Sequence, residues 1–149
     1  MKYGWVAKAA VVAVAVVLIP TLFGCGDGRP QRVPVSGTVL IDGQPLSHGF
    51  IRLMPKDARP STGKIGNDGR FTLTCFEEGD GAVEGTHTVT VSGVEEVNSK
   101  TLRWHAPKKY KNPRTSGQTV TIDGPTDSLT VELSWGGGKP FLETISGGE

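Results

Sequence analysis

Gly63-Lys64-Ile65-Gly66-Asn67-Asp68-Gly69-Arg70-Phe71-Thr72-Leu73-Thr74-Cys75 is the stretch that decides the fold. Asp68-Gly69 stands between two alternating segments, and Asp-Gly in that setting is the strongest short-range hairpin signal, because glycine takes the positive φ that a tight turn needs. Phe71, Leu73 and Cys75 share one parity, and Thr72 and Thr74 the other. That period of two belongs to a strand with one buried and one solvated face.

The same period continues outward from this hairpin. On its N-terminal side, Val35, Gly37, Val39 and Ile41 alternate with Ser36 and Thr38 before the turn signal Asp42-Gly43. A second strand follows Gln44-Pro45-Leu46, with Ile51 and Leu53 pointing one way, Phe50, Arg52 and Met54 the other, and Pro55 as its stop. On the C-terminal side, the acidic turn Glu77-Glu78-Gly79-Asp80-Gly81 leads to Thr86–Ser92, in which His87, Val89 and Val91 face inward. Val120 and Ile122, then Leu129, Val131 and Leu133, mark two more strands separated by Asp123-Gly124-Pro125. The connection from Gly93 to Gly117 shows no alternation.

About seven short strands at intervals of roughly 8 to 12 residues predict an all-β chain, a single antiparallel β-sandwich of immunoglobulin-like kind with an open barrel as the alternative. Twenty-one glycines and ten prolines in 149 residues agree with many turns rather than long helices.

The N-terminus has a different character. Lys2 and Lys8 precede the apolar run Ala9–Pro20, and Leu22-Phe23-Gly24-Cys25 closes it. A charged n-region, an apolar h-region and a small residue before the cut are the parts of an export signal. A membrane span needs about 20 apolar residues, and this run is broken by Pro20, Thr21 and Gly24. The pattern resembles a bacterial lipobox, which implies cleavage before Cys25, lipidation of Cys25 with fatty acids such as palmitate, and a membrane anchor. An ordinary secretory signal with Cys25 as a bystander thiol is the plainer alternative. Once Cys25 is acylated, Cys75 has no cysteine to pair with and is expected to be a buried small hydrophobe.

The organisation that follows is a cleaved lipoprotein signal peptide (1–24), a Gly-, Pro- and Arg-containing tether (25–32), one β-sandwich domain (33–135) and a flexible C-terminal tail (136–149). Cleavage removes Lys2 and Lys8 and no acid, so 16 Lys and Arg against 15 Asp and Glu becomes 14 against 15. A nearly neutral domain gives no support to nucleic acid as a partner.

Val35-Ser36-Gly37-Thr38-Val39, Asp42-Gly43-Gln44-Pro45-Leu46, Asn67-Asp68-Gly69-Arg70-Phe71 and Gly85-Thr86-His87-Thr88-Val89-Thr90-Val91 occur in that order. Together they resemble the carboxypeptidase regulatory-like domain, a small transthyretin-like β-sandwich, over Val33 to Leu133. Lys109-Tyr110, Pro113 and Thr115-Ser116-Gly117 are similar to a closing segment of short bacterial lipoproteins that carry this domain. The resemblance implies a non-catalytic module with no cofactor, held on the bacterial cell envelope and facing the periplasm or exterior. Gly26 stands where an inner-membrane retention aspartate would stand in some bacteria, which by the same resemblance favours the outer membrane.

Transthyretin-like folds also include hydroxyisourate hydrolases, so a small-molecule hydrolase is the alternative reading. Those enzymes end in Tyr-Arg-Gly-Ser, whereas this chain ends Ser146-Gly147-Gly148-Glu149. His48, His87 and His105 lack metal-ligand spacing, and are expected in a turn, on an inward strand face and in a solvated loop. No Gly-x-Ser-x-Gly elbow occurs. Glu77, Glu78, Asp80 and Glu84 cluster around glycines, but without a calcium-loop register they read as a solvated acidic turn.

The remaining candidate is a basic and aromatic stretch, Lys100, Arg103, Trp104, Lys108, Lys109, Tyr110, Lys111 and Arg114, with no acid between 100 and 114. Cations interleaved with aromatics suit an anionic glycan, a lipid headgroup or the acidic surface of an envelope protein. The competing expectation is a loop whose Trp104 and Tyr110 pack back over the sandwich edge.

Overall fold

A computed structural model describes residues 28–145. Residues 1–27, which include Cys25 and the segment expected to be an export signal, and residues 146–149 lie outside the described residues. Within the described range the chain is all-β, with thirteen strands and one short 3-10 helix. The strands are β1 (Arg32–Val33), β2 (Val35–Ile41), β3 (Gln44–Pro45), β4 (Gly49–Pro55), β5 (Ser61–Ile65), β6 (Arg70–Thr72) and β7 (Ala82–Val83). They continue with β8 (Gly85–Ser92), β9 (Val94–Asn98), β10 (Thr101–Trp104), the 3-10 helix Lys108–Lys111, β11 (Gln118–Ile122), β12 (Thr126–Leu133) and β13 (Phe141–Thr144).

One four-stranded sheet runs β11-β8-β4-β5, antiparallel throughout. In the other, β2 is central, with β12 on one side and with β3 and β6 sharing the other. The alternation read from the sequence decides which side chains turn in. Ile51, Leu53, Val89 and Val91 of the first sheet meet Val39, Val131 and Leu133 of the second in one core, together with Leu46, Phe71 and Leu73. Removing these side chains from water, at about 25 cal/mol per Å² of apolar surface, is the main term offsetting the entropy of ordering so many short strands.

The turns follow their residues. Asp42 and Gly43 both adopt positive φ, the geometry of a two-residue hairpin loop whose twist matches its strands, and Ile41 then pairs with Gln44. Gly69 adopts φ 78°, and the Gly66 N–H donates to the Arg70 carbonyl at 2.8 Å. On either side of this turn the strands part, β5 joining β4 and β6 joining β2, and a Thr62–Thr74 bridge is their one further ladder link among the described residues. The hairpin is thus a corner between two sheets.

Gly37 has a separate reason. An irregularity between Thr126 and Leu129 presses the β12 backbone onto β2, and a Cβ at position 37 would lie 1.9 Å from the Leu129 carbonyl oxygen.

Several expectations are corrected. The sheets are not purely antiparallel, because β12 runs parallel to β2. Asp123-Gly124-Pro125, between β11 and β12, carries the chain from one sheet to the other, and Pro125 has no N–H with which to continue a ladder. The described strands number thirteen rather than about seven, partly because two-residue strands such as β1 and β7 carry too few side chains to show a period.

The connection 93–117 is not irregular. It holds the β9/β10 hairpin, which lacked alternation because Glu95, Glu96, Asn98 and Lys100 put polar groups on both parities. Nor is 136–149 simply a flexible tail from its start. β13 pairs with β10 in a three-stranded sheet, so the folded part extends past 135, as it does at the other end where Arg32 of the expected tether pairs with Val83.

Candidate functional site

The 100–114 stretch does not form one basic surface. Trp104 is buried, stacks on Phe141 at 6.2 Å between ring centres, and donates its indole N–H to Glu143 at 2.7 Å. Lys108 pairs with the other oxygen of Glu143 and lies over the Trp104 ring at 5.0 Å. The hydrogen bond from Lys108, then that from Trp104, hold the Glu143 carboxyl below its ordinary range despite some loss of solvation. Arg103 pairs with Glu95 at 3.4 Å, and Lys109 lies over the Tyr110 ring at 4.8 Å. Tyr110 itself is buried in the core cluster. Lys100 and Arg114 are exposed, with their backbone N–H groups bonded to Asn98 and Asn112. Most of the predicted surface is consumed in closing the fold, as the competing expectation held for Trp104 and Tyr110.

The histidines are likewise engaged. His87 is fully buried, as expected, and its Nε2–H donates to the Val83 carbonyl at 2.8 Å. His105 is not in a solvated loop: it is half-buried, lies 2.8 Å from Glu95, and has the His48 ring 5.7 Å away. Its hydrogen bond is the main influence lowering the Glu95 carboxyl, with the Arg103 charge adding to it.

The acidic turn is more than solvated charge. Asp80 turns inward and accepts the N–H groups of Cys75 (2.7 Å), Phe76 (3.1 Å) and Glu77 (3.1 Å), and it pairs with Arg32 at 2.9 Å. Burial pushes this carboxyl up, but the three amides and the guanidinium outweigh it and hold it below its ordinary value. Asp80 is therefore the clasp that ties the first strand to the body. Cys75 is buried as expected. Cys25 lies outside the described residues.

Lys111 behaves differently from its neighbours. Its ammonium is 5.7 Å from the Trp104 ring and adds to the field on Glu143, yet the side chain also lines a depression of about 340 Å³ on the outer face of β11-β8-β4-β5. Phe50, Arg52, Thr62, Thr90 and Ser92 complete that depression. Phe50 is 52% exposed, an unusual position for a phenylalanine. The ladder fixes its surroundings: Phe50 stands between Ser92 and Lys64, and Arg52 between Thr90 and Thr62.

None of the four strands contains an Asp or Glu. Arg52 and Lys64 make no ion pair among the described residues. In a chain that is nearly neutral overall, this face carries one sign of charge on a floor of hydroxyls. A second depression, of about 660 Å³, adjoins it around the β5 edge, shares Thr62 with it, and is lined by Lys64, Arg70 and Glu78 among others.

Sequence reasoning missed this face because its cations come from three separate segments. The available signal was Phe50, an aromatic on the outward parity of an otherwise regular strand.

The chain matches no family model, and no curated protein and no solved structure is significantly similar to it. Among the described residues no group of three or more His, Cys, Asp or Glu is placed to hold a metal ion, and no helix is long and apolar enough to cross a membrane.

Proposed function

We propose that the protein is a non-catalytic, lipid-anchored component of the bacterial cell envelope, in which a transthyretin-like β-sandwich presents an interaction surface to an anionic envelope partner. The observation that carries the reading is the acid-free outer face of β11-β8-β4-β5, with exposed Phe50 and the cations Arg52, Lys64 and Lys111. Charge of one sign on an exposed, hydroxyl-rich sheet gives complementarity to a negative partner. The anchor is the lipidated Cys25, with the outer membrane as its destination. The non-catalytic part of the reading is supported by the use of His87, His105 and Asp80 as internal hydrogen-bond partners.

Two measurements test the proposal. Metabolic labelling with a radioactive fatty acid is expected to mark the wild-type chain and not Cys25→Ser, with the label in the outer-membrane fraction. An unlabelled chain that fractionates as soluble overturns the anchor. Retention of the wild-type protein on an anionic matrix is expected to fall in Arg52→Glu/Lys64→Glu. Unchanged retention overturns the surface.

A further inference from the structure

We infer that the partner is a linear acidic polysaccharide, laid across the strands along a track that runs from Lys111 over Arg52 and Lys64 to Arg70. The inference rests on the interaction-surface reading above and names the ligand of that surface. Three observations carry it.

The first is continuity. The two depressions share Thr62 on the edge strand β5, so they adjoin, and one ligand can pass from β8 and β4 around β5 to β6.

The second is the spacing of charge. At roughly 4.7 to 4.9 Å between neighbouring strands, the track from β8 to β6 is about 15 Å long, and its cations are distributed along it. A single phosphate or carboxylate is held by donors gathered at one point, whereas these cations are divided between two depressions, Arg52 and Lys111 in one and Lys64 and Arg70 in the other. A polymer with a carboxylate or sulfate on successive units meets them one after another. Glu78, lining the larger depression, is an acid at that end of the path.

The third is the floor. Thr62, Thr72, Thr90 and Ser92 offer hydroxyls that both donate and accept, which suits sugar hydroxyls. Phe50 supplies one flat apolar surface for the C–H face of a pyranose ring. A single strand of nucleic acid would call for several stacking platforms for successive bases, and the face has one, Phe50. A bilayer surface would call for a protruding apolar patch, and Phe50 is flanked by Ser92 and Lys64.

The test uses the full chain in detergent micelles, with polygalacturonate as the acidic polymer, galacturonic acid as its monomer and dextran as the neutral polymer, followed by calorimetry and affinity electrophoresis. Binding to polygalacturonate, weakening with salt, with no binding of the monomer or dextran, is expected. R52E/K64E is expected to lower the affinity about tenfold or more, and F50A to lower it at constant charge. K100E/R114E makes the same change of charge off the track and is expected to leave binding in place.

An equal loss in K100E/R114E would show general electrostatics and overturn the track. Galacturonic acid binding as tightly as the polymer would overturn the polymer and leave the surface. Failure on polygalacturonate, with R52E/K64E-sensitive binding to phosphatidylglycerol vesicles or to duplex DNA, would replace the ligand and again leave the surface. Absence of binding to every anion would overturn both readings.

Discussion

The Tyr110 hydroxyl sits between both backbone groups of Ser134, donating to its carbonyl at 3.2 Å and accepting its N–H at 3.0 Å. Tyr110 is the buried residue of the 3-10 helix, and Ser134 follows the last strand of the β2 sheet. One phenol thus fastens the loop bearing Lys108, Lys109 and Lys111 to the opposite sheet. Tyr110→Phe keeps the ring and leaves the two backbone groups unpaired. A loss of about 1–3 kcal/mol is expected in urea unfolding, with Lys111 less firmly placed and anion binding reduced.

Gly37→Ala drives a methyl group against the Leu129 carbonyl, a backbone atom that cannot swing away. Relieving the overlap means separating β2 from β12, and we expect at least the 1–3 kcal/mol typical of overpacking, or roughly that and more. Gly124→Ala, where nothing lies within 4 Å of the added carbon, is the control and should change stability by about 0.5 kcal/mol or less.

Asp80 makes stability depend on pH in acid. Its folded-state value is depressed, so its contribution is complete above the unfolded value, near 3.8, and is lost as the pH falls through the folded value below that. Thermal melts should therefore show a decline below about pH 4 that is diminished in Asp80→Asn, which is expected to be less stable than wild type at neutral pH by about 1–3 kcal/mol.

Deleting residues 140–149 removes β13 and with it the Phe141 and Glu143 contacts of Trp104. Hydrogen exchange is expected to quicken in Val94–Trp104, while β4 and β8 at the centre of the core keep their protection.

Much of this architecture was legible in the residues. Strands with one wet and one dry face, such as 35–41, 49–55 and 85–92, declare themselves by period, and Asp-Gly at 42–43 and 68–69 declares its turns. Hidden features share a physical cause. β9, β10 and β13 form a small sheet whose polar residues sit on both parities, so no period marks it. Parallel pairing of β12 depends on a link that changes sheets, which local residues do not specify. The basic run 100–114 looked like a site because its charges adjoin in sequence, yet folding pairs Lys108 with Glu143 and Arg103 with Glu95. Of that group Lys111 alone also reaches the groove with Phe50 and Arg52, a meeting that only the tertiary structure shows.

The parallel contact of β2 with β12 joins Val35 to Thr126 and Ile41 to Leu133, nearly opposite ends of the folded range. A loop of that length must close before the second layer gains its long neighbour, which makes this a topology of high contact order and slow folding. A ribosome-bound chain stopped short of residue 126 can place β3 and β6 on one side of β2 but has no strand for the other. Completion of that sheet therefore waits for the arrival of Thr126–Leu133, late in translation.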